Sequence, residues 1–257
     1  MTMKKWALVT GATAGIGESF TRLLAANGFN IALVARDHER LIERSLFLQK
    51  TYSVETSIIQ ADLSLDSGCA ILEEYLAKNE IEVLVNNAGF GIKYAFTTSA
   101  LEAEEDLLKV LVRAPMRSMH IVLPKMKERN SGTIINVSSV ASWIAGGTYS
   151  ASKSYLTVLS ESIHTELEST NIKVMALCPG FTHTEFHQRG KMKMSSLPEF
   201  MWLDADDVVK KAWSDSQAGK AISVPGWQYL LLSTFARFFP RPIVRKLGLN
   251  IRARQRR

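Results

Sequence analysis

Tyr149 and Lys153 stand four residues apart in the stretch Tyr149-Ser150-Ala151-Ser152-Lys153. The stretch opens a segment whose apolar positions, Leu156, Leu159, Ile163 and Leu167, recur with helical spacing. Positions four apart share a helix face, so a phenol and an ammonium can point into one space. A neighbouring cation favours the phenolate and lowers the phenol's pKa toward working pH. A phenol so poised can give a proton to an alcohol oxygen or take one from it. Such pairs also meet on helices by chance, so this one gains meaning only from the elements that position it.

Those elements begin with the short apolar run at residues 6–10, which reads as a buried strand. Gly11-Ala12-Thr13-Ala14-Gly15-Ile16-Gly17 follows, then an amphipathic helix with Phe20, Leu23 and Leu24 that ends at Asn27-Gly28. Strand, glycine-rich turn and helix together favour a dinucleotide site over a plain tight turn. The glycines let backbone N–H groups approach a pyrophosphate, and the helix N-terminus adds partial positive charge. A second strand, residues 31–35, ends at Arg36, where a guanidinium can pair with the 2′-phosphate of NADP or simply open the helix at 37–50. A third, residues 56–60, runs into Asp62 and Leu63; Asp62 can accept from an adenine amine, cap the next helix, or both. A fourth, residues 83–85, ends in Asn86-Asn87-Ala88-Gly89, whose amides can tie adjacent strands and line a cofactor crevice. A helical stretch at 101–129 follows, with Pro115 and Pro124 expected to kink it. Strands at 133–137 and 174–177 flank the Tyr149 segment. Repeated strand–helix units with apolar strands predict an α/β fold: a doubly wound parallel sheet with helices on both faces, three layers in all. No repeat or linker divides residues 1–257, so one domain is expected.

Composition sets the remaining bounds. A chain of 257 residues, 46% apolar, can bury a large core. Cys69 and Cys178 do not make a disulfide framework, which fits a reducing compartment and predicts a cytoplasmic location. The apolar run after Lys4 and Lys5 is too short for a signal peptide, and no stretch is long enough to cross a bilayer. The net charge of +6 gathers at the C-terminal end and comes with no nucleic-acid motif, so no nucleic-acid partner is expected. His183 and His187 lack a third ligand, and no metal is expected.

Taken together, Thr10-Gly11…Gly15-Ile16-Gly17, Asn86-Asn87-Ala88-Gly89, Ser139, Tyr149…Lys153 and Pro179-Gly180…Thr184 resemble, in content and order, the motifs of the short-chain dehydrogenase/reductase family over residues 5–185. The resemblance implies a Rossmann-type domain that transfers hydride between a nicotinamide and a carbonyl or alcohol. It implies Tyr149 as general acid/base, Lys153 as the residue that lowers its pKa and holds the nicotinamide ribose, and Ser139 as hydrogen-bond donor to the substrate oxygen. Cofactor contacts then fall on Gly11, Thr13, Gly15, Ile16, Gly17, Arg36, Asp62, Leu63, Asn87, Ala88, Gly89, Tyr149, Lys153, Pro179, Gly180 and Thr182. Arg36, with Thr13 assisting, places the chain on the NADP(H)-preferring branch rather than the NAD(H) one. A homodimer or homotetramer is implied as well.

Two departures from the family pattern stand out. Leu123-Pro124-Lys125-Met126 puts Leu111 where members commonly carry an asparagine that holds a water of the proton relay. Ser139 and Tyr149 are ten residues apart, closer than is usual, with Ser138 as a rival to Ser139 and Gly146-Gly147 closing the short loop. After Thr184, residues 185–257 read as a substrate lid and a C-terminal helical region. Residues 185–203 form an apolar lid or a loop packed on its own core. A helix follows at 204–214 and a last strand at 221–224. The apolar stretch from Trp227 to Phe239 reads as a helix over the substrate pocket or at a subunit interface. The basic tail raises a membrane-surface helix as the other option. The expectation is an NADP(H)-dependent carbonyl reductase or alcohol dehydrogenase acting on a small, lipophilic molecule. The competing one is a dinucleotide-binding sensor or scaffold without turnover.

Overall fold

The computed structural model describes residues 4–185 and 198–245. Its strands are β1 (Trp6–Thr10), β2 (Asn30–Ala35), β3 (Thr56–Gln60), β4 (Ile81–Asn86), β5 (Gly132–Val137), β6 (Ile172–Leu177) and β7 (Ile222–Ser223). Among the described residues they form one sheet in the order β3-β2-β1-β4-β5-β6-β7, every neighbouring pair parallel. The helices are α1 (Gly15–Ala26), α2 (His38–Tyr52), α3 (Asp66–Lys78), α4 (Leu101–Leu108), α5 (Ala114–Arg129), α6 (Gly147–Glu166), α7 (Ala205–Gln217) and α8 (Trp227–Phe238). This is the doubly wound α/β/α architecture that the strand–helix alternation predicts.

Alternation along the strands builds two cores. On β1, Leu8 joins the apolar cluster with Leu72, Leu107, Met119 and Leu156, under α3, α4, α5 and α6. Its neighbours Ala7 and Val9 join the other, with Phe20, Leu24, Leu48 and Val209, under α1, α2 and α7. Successive side chains point to opposite faces of a strand, so a strand buried on both faces must be apolar throughout. Strand order reverses between β1 and β4. That switch point opens a crevice beyond the C-terminal ends of the strands.

The sequence expects kinks in the long helical stretch at its two prolines; the structure shows one interruption of its α-helical hydrogen bonding. The irregularity is a π turn at Lys109–Arg113, just before Pro115. Pro115 has no N–H to donate to the carbonyl four residues back, and its ring crowds that carbonyl, so the preceding turn widens. Pro124 lies inside α5, which continues to Arg129. The last strand is also shorter than the expected 221–224, and the fourth is longer than 83–85.

Candidate active site

Each predicted site residue lies just past a strand's C-terminal end or on the helix that follows. Gly11, Thr13, Gly15, Ile16 and Gly17 follow β1, Arg36 follows β2, and Asp62 and Leu63 follow β3. Asn87, Ala88 and Gly89 follow β4, Ser139 follows β5 and leads to α6, and Pro179, Gly180 and Thr182 follow β6. The fold therefore gathers them along one edge of the sheet.

The glycine turn is fixed by space. A Cβ on Gly17 would lie 2.2 Å from the Gly11 carbonyl oxygen and 2.3 Å from Asn87 Nδ2. Gly11 itself has φ of 66°, a region L side chains seldom enter. No side chain caps the start of α1 at Ala14, which leaves its first N–H groups to another partner. Asn87 holds the turn: Nδ2 donates to the carbonyls of Thr10 at 2.9 Å and Gly11 at 3.2 Å. The N–H groups of Asn87 and Ala88 donate to Thr10 Oγ1 at 2.9 and 3.0 Å. This backbone cradle, with uncapped N–H groups and no room for a Cβ, fits a dinucleotide's pyrophosphate.

On the β4 side of the switch point two amides work in series. Asn86 Nδ2 donates to Asn136 Oδ1 at 2.8 Å, and Asn136 Nδ2 donates to Ser160 Oγ at 2.8 Å. The chain of bonds ties β4 to β5 and β5 to α6, the helix of Tyr149. Asn136 and Thr10 are positioning residues to which the sequence reading gave no role. The clue was an amide one residue from the C-terminal end of the β5 run, directly after two isoleucines.

Tyr149 and Lys153 lie on one face of α6, with Lys153 Nζ 5.7 Å from the Tyr149 ring centroid. Lys153 is buried, and Nζ donates to the Val137 carbonyl at 2.6 Å. Burial lowers its pKa to about 8. Tyr149 is hydrogen-bonded to Ser139. Its phenol was expected below its ordinary pKa and lies above it, at about 12, because burial outweighs the Ser139 hydrogen bond.

Ser138 and Ser139 are distinguished by direction. Ser138 is buried, donates to the Lys153 carbonyl at 2.8 Å and shares a 2.7 Å bond with Thr157, so its hydroxyl is used inside the fold. Ser139 faces Tyr149 and accepts from the Ala141 N–H at 3.1 Å, which caps the short 3-10 turn Val140–Trp143. That turn shortens the loop, and α6 begins at Gly147.

The remaining predicted positions are less uniform. The Arg36 guanidinium is exposed, 3.9 Å from Asp62. Asp62 does not cap α3, whose N-cap is Leu65; it accepts from the N–H and hydroxyl of Ser64 at 3.0 and 2.8 Å, a local turn that competes for the same oxygen. Leu63 is a core residue. The Pro179 carbonyl accepts from Val140 N–H at 3.1 Å, and Thr182 Oγ1 donates to the Gly180 carbonyl at 3.2 Å. Thr184 sits over Gly15, its Cβ 2.8 Å from where a Gly15 Cβ would be. Leu111 is buried in the π turn and borders a cavity of about 10 Å³ with Lys153, Asn86, Thr10 and Ser118. That is roughly the smallest space one water occupies. His183 stacks on Trp202 and lies 3.2 Å from Glu199, while His187 and the lid residues 186–197 are outside the described residues.

Comparison with known proteins gives a consistent picture. The model of the short chain dehydrogenase family matches residues 5–194. The chain is 34% identical over 245 residues to "Inactive hydroxysteroid dehydrogenase-like protein 1" of Pongo abelii, covering 92% of this chain and 72% of that one. It is 29% identical over 259 residues to "Very-long-chain 3-oxoacyl-CoA reductase-A" of Danio rerio, covering 98% and 79%. Among solved structures, a short-chain dehydrogenase from Sphingobium yanoikuyae in complex with NADPH superposes with a TM-score of 0.83 at 28% identity, covering 91% of this chain and 93% of that one.

Proposed function

This chain belongs to the short-chain dehydrogenase family of oxidoreductases, and from that premise we propose that it interconverts a carbonyl and an alcohol on a lipophilic substrate, with NADP(H) as cofactor. The observation that carries the proposal is convergence: Ser139, Tyr149 and Lys153 meet at the strand ends beside a turn where Gly17 has no room for a Cβ. When bound, the cofactor supplies or accepts the hydride. Gly11, Gly15, Ile16, Gly17, Ala88 and Gly89 would hold it along the crevice, with Asp62 and Leu63 toward the adenine. Arg36 would pair with the 2′-phosphate, with Thr13 assisting. Pro179, Gly180 and Thr182 would border the nicotinamide, and Lys153 its ribose.

The chain's own residues handle the proton. With its pKa near 12, Tyr149 is protonated at neutral pH and acts as the acid in reduction. Lys153, with a pKa near 8, is largely ammonium at pH 7 and eases the loss of that proton by stabilising the phenolate. Ser139 donates to the same substrate oxygen. An aromatic cluster beside Gly180 supports a lipophilic substrate: Phe181 lies 6.0 Å from Trp202 and 6.4 Å from Tyr229. The name of the Danio rerio relative, a very-long-chain 3-oxoacyl-CoA reductase, points the same way.

Leu111 and the word "inactive" in the name of the Pongo abelii relative favour a second reading, a dinucleotide-binding sensor or scaffold. A panel of ketones, aldehydes, steroids and acyl thioesters, assayed with NADPH and NADH, separates the two. Oxidation of NADPH in preference to NADH by a lipophilic carbonyl is expected. Tight NADPH binding without oxidation on any member would favour the sensor, and equal use of both cofactors would remove Arg36 from its role.

A further inference from the structure

Helix α8 is turned inside out. Its inward face carries Gln228, Tyr229, Ser233 and Ala236, all buried. Its outward face carries Trp227, Leu230, Leu231 and Phe238, which are 70%, 54%, 63% and 83% exposed. Their spacing sets them on one side of the helix. The helix is pinned in this orientation. The Tyr229 hydroxyl accepts from Phe181 N–H at 3.0 Å and donates to the Met201 carbonyl, while Gln228 Nε2 donates to the Phe200 carbonyl at 3.0 Å. Arg237 sits over the Trp143 ring, 4.2 Å from its centroid. Rolling the apolar side inward would break all of these contacts. A contiguous exposed apolar patch marks an interaction surface.

Charge decides what that surface meets. No acidic residue follows Asp215, whereas nine cations do: Lys220, Arg237, Arg241, Arg245 and Lys246, then four arginines from 252 to 257. The whole chain carries a net +6, so the portion up to Asp215 is net −3 and the positive charge is concentrated in the part of the sequence that contains α8 and follows it, with Arg237, Arg241 and Arg245 among the described residues. A second copy seated on this face would bring two cationic segments together, and like charges across an interface repel. An anionic surface would be attracted instead. Twelve residues of helix span about 18 Å, less than the ~30 Å of a bilayer's hydrocarbon core. Among the described residues no helix is long and apolar enough to cross a membrane. Trp, Leu and Phe on one face with arginines nearby suit a helix lying in the lipid interface.

We infer that α8 docks this protein on an anionic lipid surface, with Trp227, Leu231 and Phe238 at the boundary between headgroups and acyl chains. The inference requires nothing of the catalytic reading. Co-sedimentation of the full chain with vesicles of phosphatidylcholine, alone or mixed with phosphatidylserine, tests it. Binding to the mixed vesicles should be at least about tenfold tighter and should weaken in high salt. Leu231→Glu with Phe238→Glu should lower that affinity at least about tenfold while leaving the thermal melt unchanged, since both side chains are exposed. No binding to the mixed vesicles, or undiminished binding by the double variant, would overturn the inference. So would a wild-type dimer, seen by light scattering without lipid, that the double variant abolishes, because the stripe would then belong to a second copy.

Discussion

The crevice between β1 and β4 and the surface of α8 follow opposite rules. In the crevice, polar groups are buried and every amide has a partner: Asn86, Asn87 and Asn136 link three strands and a helix. On α8 the buried face is the polar one, and the large apolar side chains stand in solvent. Interior polarity of the first kind fixes geometry, because a buried amide that loses its partner costs more than the bond itself contributes. Exterior apolarity of the second kind fixes nothing within the fold; it is surface kept for a partner.

Substitutions test that contrast. The largest effect should come from the crevice's chemistry. Tyr149→Phe should lower kcat about a thousandfold and leave NADPH affinity within about twofold, since only the hydroxyl carries the proton. A variant retaining more than about a tenth of the wild-type kcat would remove Tyr149 from the acid role.

Next comes the charge buried there. The Lys153 pKa is lowered from 10.5 to about 8 by burial, so between those values the unfolded chain binds more protons than the folded one. Stability then rises with pH across that window, by up to about 3 kcal/mol from this group. Urea melts of wild type and Lys153→Met at several pH values isolate the contribution: their difference should shift in favour of wild type from about pH 8 to 10.5. A flat difference would mean that the ammonium is not desolvated.

At the crevice's rim the effect is one of selectivity. Arg36→Asp should weaken NADPH relative to NADH by roughly ten- to a hundredfold, through lost pairing and added repulsion. Equal weakening of both, read by fluorescence titration, would place Arg36 away from the 2′-phosphate.

The smallest effects compare one substitution in the two regions. Leu111→Asn puts an amide into a buried site and should cost about 1–3 kcal/mol of stability, unless the small cavity beside it admits a water. Leu231→Asn, on the open face of α8, should change stability by less than about 0.5 kcal/mol. Equal costs in a denaturation experiment would show that α8 is covered within the folded chain.

What the sequence reveals divides along similar lines. The glycine turn, the strand ends and the helix of Tyr149 and Lys153 are legible because each is dictated locally, by a glycine, an apolar run or a four-residue spacing. The choice between Ser138 and Ser139 is not, since neighbours in sequence point in opposite directions and only the packing of Thr157 shows which one turns inward. The direction of the Tyr149 shift is not legible, because the sequence shows the nearby cation but not the burial that raises the phenol's pKa. The prolines are plain in the sequence, but the π turn at Lys109–Arg113 is not, because a proline disturbs the carbonyl four residues before it and the widened turn lies upstream of Pro115. On α8 the apolar content was plain, but the face it occupies depends on what Tyr229 and Gln228 bind.

Transfer of deuterium from NADPH labelled at C4 into a lipophilic carbonyl, read by mass spectrometry of the product alcohol, tests the central claim most directly. One deuterium at the carbinol carbon is predicted for the wild type, and almost none for Tyr149→Phe at equal NADPH occupancy. Saturating NADPH binding with no labelled alcohol from any carbonyl of the panel would contradict the account and leave a dinucleotide-binding protein without turnover.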